Sequence, residues 1–165
     1  MMKSVTPTTR DLIAWAAGFI DGEGAIVLGS SHPTPKEREK KGGNNARHKG
    51  QIKLSLSVWQ TQKEPLIRLQ LLFGGRIYAT PQRNERSAPA WQWTIQAGGA
   101  LEALLAIEPF VIRKAAQIHI ARQFRNLVTG TTWGPPGMPD IEIAKRVALK
   151  EAMAILNQRG PKVTT

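Results

Sequence analysis

Two carboxylates lie within one short run of the chain, Asp21-Gly22-Glu23-Gly24. The run follows an apolar segment that predicts a helix over residues 8–22, so both acids lie at the negative end of the helix dipole. An unpaired carboxylate costs about 0.3–1 kcal/mol there. A bound cation would remove this penalty, and Mg²⁺ accepts one or two carboxylates together with phosphate oxygens and water. An acidic turn before a strand is the alternative interpretation, and these four residues alone do not decide between the two.

The predicted helix has two different faces. Thr8 and Asp11 fit a capping box at its start. Large apolar side chains form a stripe that is expected to face the core: Leu12, Trp15 and Phe19. A second strip is nearly free of side chains: Ala14, Ala17 and Gly18. Because such a strip lets another backbone approach closely, we expect it to form a dimer interface.

Side chains that could read DNA alternate with apolar ones in the predicted strands. Inward positions are apolar: Ile52, Leu54, Leu56, Val58, Trp91, Trp93 and Ile95. The opposite face is polar and basic: Gln51, Lys53, Ser55, Ser57, Arg76, Tyr78, Gln92, Thr94 and Gln96. Gln can read adenine, Arg can read guanine, and a β-ribbon fits the major groove. An ordinary solvated sheet face is the alternative, but the basic loops beside these strands favour DNA.

Positive charge is concentrated in these loops. The loop before the second strand carries Lys36, Arg38, Lys40, Lys41, Arg47 and Lys49, and the turn over residues 81–89 carries Arg83 and Arg86. The whole chain has 23 Lys and Arg against 12 Asp and Glu, a net charge of +11. This excess indicates a polyanionic partner such as nucleic acid, with a merely basic protein as the alternative.

The rest of the composition restricts the chemistry. The chain has no cysteine, which excludes disulfides, zinc fingers and thiol nucleophiles. Its three histidines lack ligand spacing, so a metal would be bound by oxygen: His32, His48 and His119. No targeting segment and no apolar run of membrane-spanning length is visible, which predicts a soluble, intracellular protein in the cytoplasm or an organelle matrix.

The predicted elements suit one domain over residues 1–165. A helix over residues 8–22 is followed by strands over 25–30 and 51–60, a helix over 64–73, and strands over 76–80 and 90–96. Three helical segments then cover 100–107, 109–127 and 139–158. This order indicates an α+β fold with helices on one face of the sheet. Its core spans 8–127, and 139–158 forms a C-terminal helical segment.

The run Ala16-Ala17-Gly18-Phe19-Ile20-Asp21-Gly22-Glu23-Gly24 resembles the motif of the LAGLIDADG homing endonucleases, with conservative replacements at four positions. The αββαββα order that follows is typical of that family. The resemblance covers residues 8–127 and implies an antiparallel, saddle-shaped sheet with helices on one face. It also implies a nuclease that hydrolyses both strands of DNA. Only one copy of the motif is present, which implies a homodimer on a long, partly palindromic site.

The resemblance also assigns roles to single residues. Glu23 is the implied metal ligand, with help from the Gly22 carbonyl, and Asp21 supports the motif turn within the same metal-binding group. Lys114 and a polar residue after the second strand complete the implied catalytic set. Gln60 and Gln62 both remain candidates for that polar residue, and Lys63 is a neighbouring basic candidate. The implied cofactor is Mg²⁺ or Mn²⁺, with Ca²⁺ supporting binding without cleavage.

Three functions agree with these patterns. The first is a site-specific double-strand DNA endonuclease that is encoded in a mobile intron and acts in intron homing. The second is a maturase that assists splicing of its host intron RNA, and the third is a DNA-binding regulator without catalysis. The acids Asp21 and Glu23, with Lys114, favour the enzyme, because binding alone does not require carboxylates beside phosphate.

Overall fold

A computed structural model of the chain describes residues 7–30, 52–81, 88–130 and 137–158. These ranges contain five helices and four strands: α1 (Thr9–Glu23), β1 (Gly24–Ser30), β2 (Ile52–Gln60), α2 (Glu64–Phe73), β3 (Arg76–Thr80), β4 (Ala90–Gln96), α3 (Ala97–Ile107), α4 (Ala115–Val128) and α5 (Asp140–Leu156). The first seven elements follow the order αββαββα. The predicted α+β fold is confirmed, and no helix in the described ranges is long and apolar enough to cross a membrane.

The four strands form one antiparallel sheet in the order β1-β2-β4-β3. The even-numbered side chains of β2 from Ile52 to Val58 are buried, as are Trp93 and Ile95 of β4. The helices cover this face and form a single core with it. The alternation of apolar and polar residues therefore predicted the face of the sheet correctly, because side chains on a strand point to opposite faces in turn.

Helix α1 begins with the expected capping box, in which Thr8 and Asp11 each accept a hydrogen bond from the other's backbone N–H. Its buried residues differ from the prediction, since Ala16, Ala17 and Ile20 are fully buried. Trp15 and Phe19 stack on each other at 5.4 Å between ring centroids and pack against the margin of the core. The helix packs its small residues inward because this lets it lie close to the rest of the core.

The later helices begin at other residues than expected. Helix α3 begins at Ala97, directly after β4, rather than at residue 100. Helix α4 begins at Ala115 rather than at residue 109, because a 3₁₀ turn over Glu108–Phe110 and a non-helical segment over 111–114 come first. Helix α5 is joined to β1 at its end, where the Asn157 side-chain amide donates to the Ile26 carbonyl at 2.8 Å.

Candidate active site and nucleic-acid interface

The carboxylate of Asp21 holds the segment that precedes α4. It accepts hydrogen bonds from three consecutive backbone N–H groups, those of Ile112 at 3.2 Å, Arg113 at 2.9 Å and Lys114 at 2.9 Å. The side chain of Asp21 is buried, at 8% exposure. Both carboxylate oxygens are therefore engaged by backbone groups 91 to 93 residues further along the chain.

Asp21 remains a carboxylate in this setting. Burial raises the pKa of the group, but the three backbone donors and the charge of Lys114 outweigh that effect, so the pKa lies below its ordinary value. The prediction that placed Asp21 among the metal ligands is not supported by this geometry, since its oxygens already accept three N–H groups. Asp21 instead connects the end of α1 to the start of α4.

The same segment places the side chain of Lys114 at the end of α1. Its Nζ donates to the backbone carbonyl of Asp21 at 2.5 Å. Burial lowers the pKa of Lys114 below its ordinary value, while the negative charges of Asp21 and Glu23 oppose that shift. Glu23 follows two residues after Asp21 on α1, so the Lys114 ammonium and the Glu23 carboxylate both belong to the end of this helix.

Glu23 is the exposed acid of the pair, at the last position of α1. The following glycine is required by packing, because a Cβ at Gly24 would lie 2.6 Å from the Ile20 carbonyl oxygen. The last carbonyls of a helix have no partner within it, so the Gly22 oxygen adds negative charge beside Glu23. Among the described residues no group of three or more His, Asp or Glu could hold a metal ion. A metal at Glu23 would thus take further ligands from water, phosphate or a second chain.

The polar candidates after β2 lie at the same end of the sheet. Gln60 is half-buried and pairs with Trp91, whereas Gln62 is exposed beyond the strand. The Lys63 ammonium lies 4.4 Å from the centroid of the Trp91 ring, a cation–π contact that restrains it. Because Gly24 pairs with Val58, this end of β2 adjoins the end of α1.

The outer face of the sheet carries the predicted DNA-reading residues in cross-strand rows. Residues that lie opposite each other on antiparallel strands share a face. One row contains Ser57, Thr94 and Arg76, and the next row towards α1 contains Gln92 and Tyr78. Further from α1, Ser55 pairs with Gln96, and Lys53 pairs with Gly29 of β1.

Not all of these residues are free to contact DNA. Ser57 is buried and donates its hydroxyl to Thr94 at 2.9 Å, so it supports the face rather than protruding from it. Arg76, Tyr78, Lys53 and Gln96 are exposed, and Thr94, Ser55 and Gln92 are half-buried. The other predicted DNA contacts lie outside the described residues: Lys36, Arg38, Lys40, Lys41, Arg47, Lys49, Gln51, Arg83 and Arg86.

Sequence reasoning missed Trp59 on this face. It lies opposite Gln92 and is 45% exposed. The signal was present, because Trp59 continues the odd-numbered series Lys53, Ser55 and Ser57 that was assigned to the outer face.

The structure places only two of the three residues of the predicted dimer strip on the surface. Gly18 is exposed and Ala14 is half-buried, but Ala17 is fully buried within the chain's own core and cannot contact a second chain. Gly22 is exposed one helical turn after Gly18 and continues the exposed surface of the helix. Apart from the neighbouring residues and backbone of α1 itself, no heavy atom lies within 4 Å of a Cβ built at either glycine. The open strip is thus Ala14, Gly18 and Gly22, spaced by four residues.

No protein-family profile and no curated protein sequence matches the chain. Solved structures do match its fold. The homing endonuclease I-CvuI, in complex with its target in 2 mM Ca, has a TM-score of 0.68 and 22% identity, over 94% of this chain and 87% of that one. The archaeal intron-encoded homing endonuclease I-Vdi141I, complexed with DNA, has a TM-score of 0.64 and 16% identity, over 93% and 88%. The LAGLIDADG homing endonuclease I-SmaMI, bound to cleaved DNA, has a TM-score of 0.58 and 14% identity, over 96% of this chain and 49% of that one.

Proposed function

From the premise that this chain has the fold of the LAGLIDADG homing endonucleases, we propose that it is a site-specific endonuclease that cuts both strands of DNA. One observation carries the proposal: Asp21 binds the segment before α4, and Lys114 Nζ donates to the Asp21 carbonyl at the end of α1 that also carries exposed Glu23. A carboxylate and a cation at the end of a polar sheet face suit the hydrolysis of a phosphodiester. Binding alone would be weakened by a carboxylate beside phosphate, because like charges repel.

A divalent metal fits the oxygen donors at the end of α1. Glu23 would hold Mg²⁺ or Mn²⁺, with the Gly22 carbonyl as a second ligand, since these ions accept one or two carboxylates besides phosphate oxygens and water. When bound, such an ion supplies charge stabilisation and a more acidic water. Ca²⁺ would support binding without cleavage, because it takes the same oxygen ligands in a looser geometry.

The chain's own residues contribute the remaining chemistry. Lys114, restrained by the Asp21 carbonyl, stabilises the negative charge that develops on the scissile phosphate. Its partial burial strengthens that interaction, since fewer waters screen the ammonium. Gln60 or Gln62 orients the attacking water, and Lys63 adds a cation that its contact with Trp91 restrains.

A single chain would provide half of a site that cuts two strands, so we propose a homodimer on a partly palindromic target. The open strip Ala14, Gly18 and Gly22 leads to Glu23 along α1, so pairing two such strips would bring two Glu23 carboxylates together. The match to I-SmaMI supports this, because nearly the whole of this chain corresponds to about half of that protein.

The test uses a DNA duplex with the sequence into which the chain's own gene is inserted, joined as it would be without the insertion. Cleavage of this duplex is measured with Mg²⁺, with Ca²⁺ and without metal. Glu23→Gln removes the charge that holds the ion while it preserves the shape of the side chain. We expect cleavage in Mg²⁺ to fall at least about 100-fold while binding in Ca²⁺ or metal-free buffer changes little, since affinity rests on the sheet. Glu102→Gln, which removes an exposed carboxylate from α3, is the matched control and should cleave normally.

Lys114→Met extends the test and should also slow cleavage more than it weakens binding, because its role is in the transition state. Near-normal cleavage by Glu23→Gln would refute the proposed site. A proportional loss of binding and cleavage would assign Glu23 to structure, and binding by the wild type without cleavage in any metal would favour the regulator.

A further inference from the structure

Three side chains on the outer face form a row that differs in chemistry from the rows around it. Trp59 on β2 and Tyr78 on β3 both lie opposite Gln92 on β4, the strand between them. An amide is therefore flanked on each side by an aromatic ring on the same face. We refer to Trp59, Gln92 and Tyr78 as the aromatic row.

Both rings are open to a partner. Trp59 is 45% exposed and Tyr78 is 46% exposed, whereas the neighbouring row presents a Ser57–Thr94 hydroxyl pair and Arg76. Neighbouring strands lie about 4.8 Å apart, so the three side chains span about 10 Å. That width fits within a major groove of about 12 Å.

The row also has a definite place relative to the proposed site. Val58 of β2 pairs with Gly24 of β1. Trp59 follows Val58 and Glu23 precedes Gly24, so both residues lie at the same end of this antiparallel pair. The aromatic row is hence the row of the outer face nearest to Glu23. Successive rows are separated by about 6.6–6.8 Å along the strands, which is about two base-pair rises of 3.4 Å.

The chemistry of the row matches one kind of base pair. A Gln amide can donate and accept at once, which suits the N7 and N6 positions of adenine. Aromatic rings beside it offer apolar surface but few hydrogen bonds. In the major groove the apolar feature that distinguishes one base from the others is the C5 methyl group of thymine.

We propose that the aromatic row is a specificity determinant that reads A·T pairs in the part of each half-site nearest the cleaved phosphates. Gln92 reads adenine, and the rings of Trp59 and Tyr78 contact thymine methyl groups. This inference rests on the proposed function and adds the bases that this surface selects. The Arg76 row, about two base pairs further from the cut, reads a different base, because its exposed group is a guanidinium.

The experiment is a binding selection from two random-sequence duplex libraries, one amplified with dTTP and one with dUTP, in metal-free buffer. Uracil pairs as thymine does and lacks only the C5 methyl group. The wild type should enrich thymine in the central part of its site from the dTTP library and lose that preference with dUTP. A single thymine-to-uracil change in the selected duplex should weaken wild-type binding about fourfold, the value of one buried methyl group of about 0.8 kcal/mol.

Trp59→Ala and Tyr78→Ala should each lose part of this methyl discrimination, and Trp59→Phe should keep most of it. Leu71→Ala is the matched control, because it removes an 82% exposed apolar side chain from α2, on the helical side of the sheet. Unchanged methyl discrimination in both alanine variants, or a wild-type site that is insensitive to uracil, would overturn the inference and leave the endonuclease proposal standing. A wild type that enriches no sequence from either library would overturn both.

Discussion

At the scale of single residues, the two acids of the motif have separate tasks. Asp21 is buried and saturated by backbone N–H groups, whereas Glu23 is exposed at the end of the same helix. The hydrogen bonds keep Asp21 ionised, while the Glu23 carboxylate remains exposed to a ligand. The buried acid positions Lys114, and in our proposal the exposed acid binds metal.

The buried acid should contribute to stability in a pH-dependent way. The pKa of Asp21 in the folded protein lies below its ordinary value of 3.8, so its contribution is present above pH 3.8 and is lost as the pH falls through the lower folded value. Asp21→Asn should lower the free energy of unfolding at pH 7 by about 1–3 kcal/mol, because it replaces a charged acceptor of buried N–H groups.

Urea denaturation of both proteins in metal-free buffer measures this effect between pH 7 and pH 2.5. The difference between wild type and variant should shrink as the pH falls below 3.8, since the Asp21 carboxyl of the unfolded chain is protonated first and the folded carboxylate follows at its lower pKa. A difference that stays constant across the whole range would mean that the charge of Asp21 does not stabilise the fold.

At the scale of elements, α1 performs two functions with opposite faces. Its inward face packs Ala16, Ala17 and Ile20 into the core, and its outward face leaves Gly18 and Gly22 open. Small residues on both faces let the helix approach its own sheet on one side and, in our proposal, a second α1 on the other. The aromatic pair Trp15 and Phe19 lies at the margin between the two faces.

The substitution Gly18→Leu tests the outward face. Space is open at Gly18 in the single chain, so the monomer should fold normally, and replacing a helical glycine should add up to about 0.8–1 kcal/mol to helix stability. Association should nevertheless be lost, because a leucine would hold the two helices apart. Sedimentation velocity with and without DNA measures the outcome, with Ala144→Leu on the exposed surface of α5 as the control. A wild type that stays monomeric on DNA would contradict the assignment.

At the scale of the whole molecule, charge and sheet polarity point to the same partner. The net charge is +11, and the face of the sheet opposite the helices carries exposed Lys53 and Arg76 among amides and hydroxyls. Electrostatic attraction between the basic protein and DNA phosphates does not depend on the DNA sequence, whereas the rows of the sheet would read individual bases. Affinity and specificity should therefore respond differently to salt.

Binding to duplex DNA should weaken steeply with salt, with a slope of about −0.9 in log affinity against log salt concentration for each neutralised phosphate. If Lys53 contacts a phosphate, Lys53→Met should reduce the slope by about one such unit. Lys145→Met is the matched control, because Lys145 pairs with Glu142 on α5 and its loss should leave the slope unchanged. Fluorescence anisotropy from 50 to 300 mM salt measures the slope, and a flat response would count against a nucleic-acid partner.

Local patterns in the sequence were enough to determine the order of elements, the buried face of the sheet and the motif helix, because each follows from a period of two or 3.6 residues or from a capping pair. The role of Asp21, the late start of α4 and the burial of Ala17 were decided by the tertiary structure. Asp21 meets its partners 91 to 93 residues away, and no local period carries that information. Trp59 lies between the two cases: its odd number matches the outer-face series Lys53, Ser55 and Ser57, but its exposure and its place opposite Gln92 follow from the folded sheet.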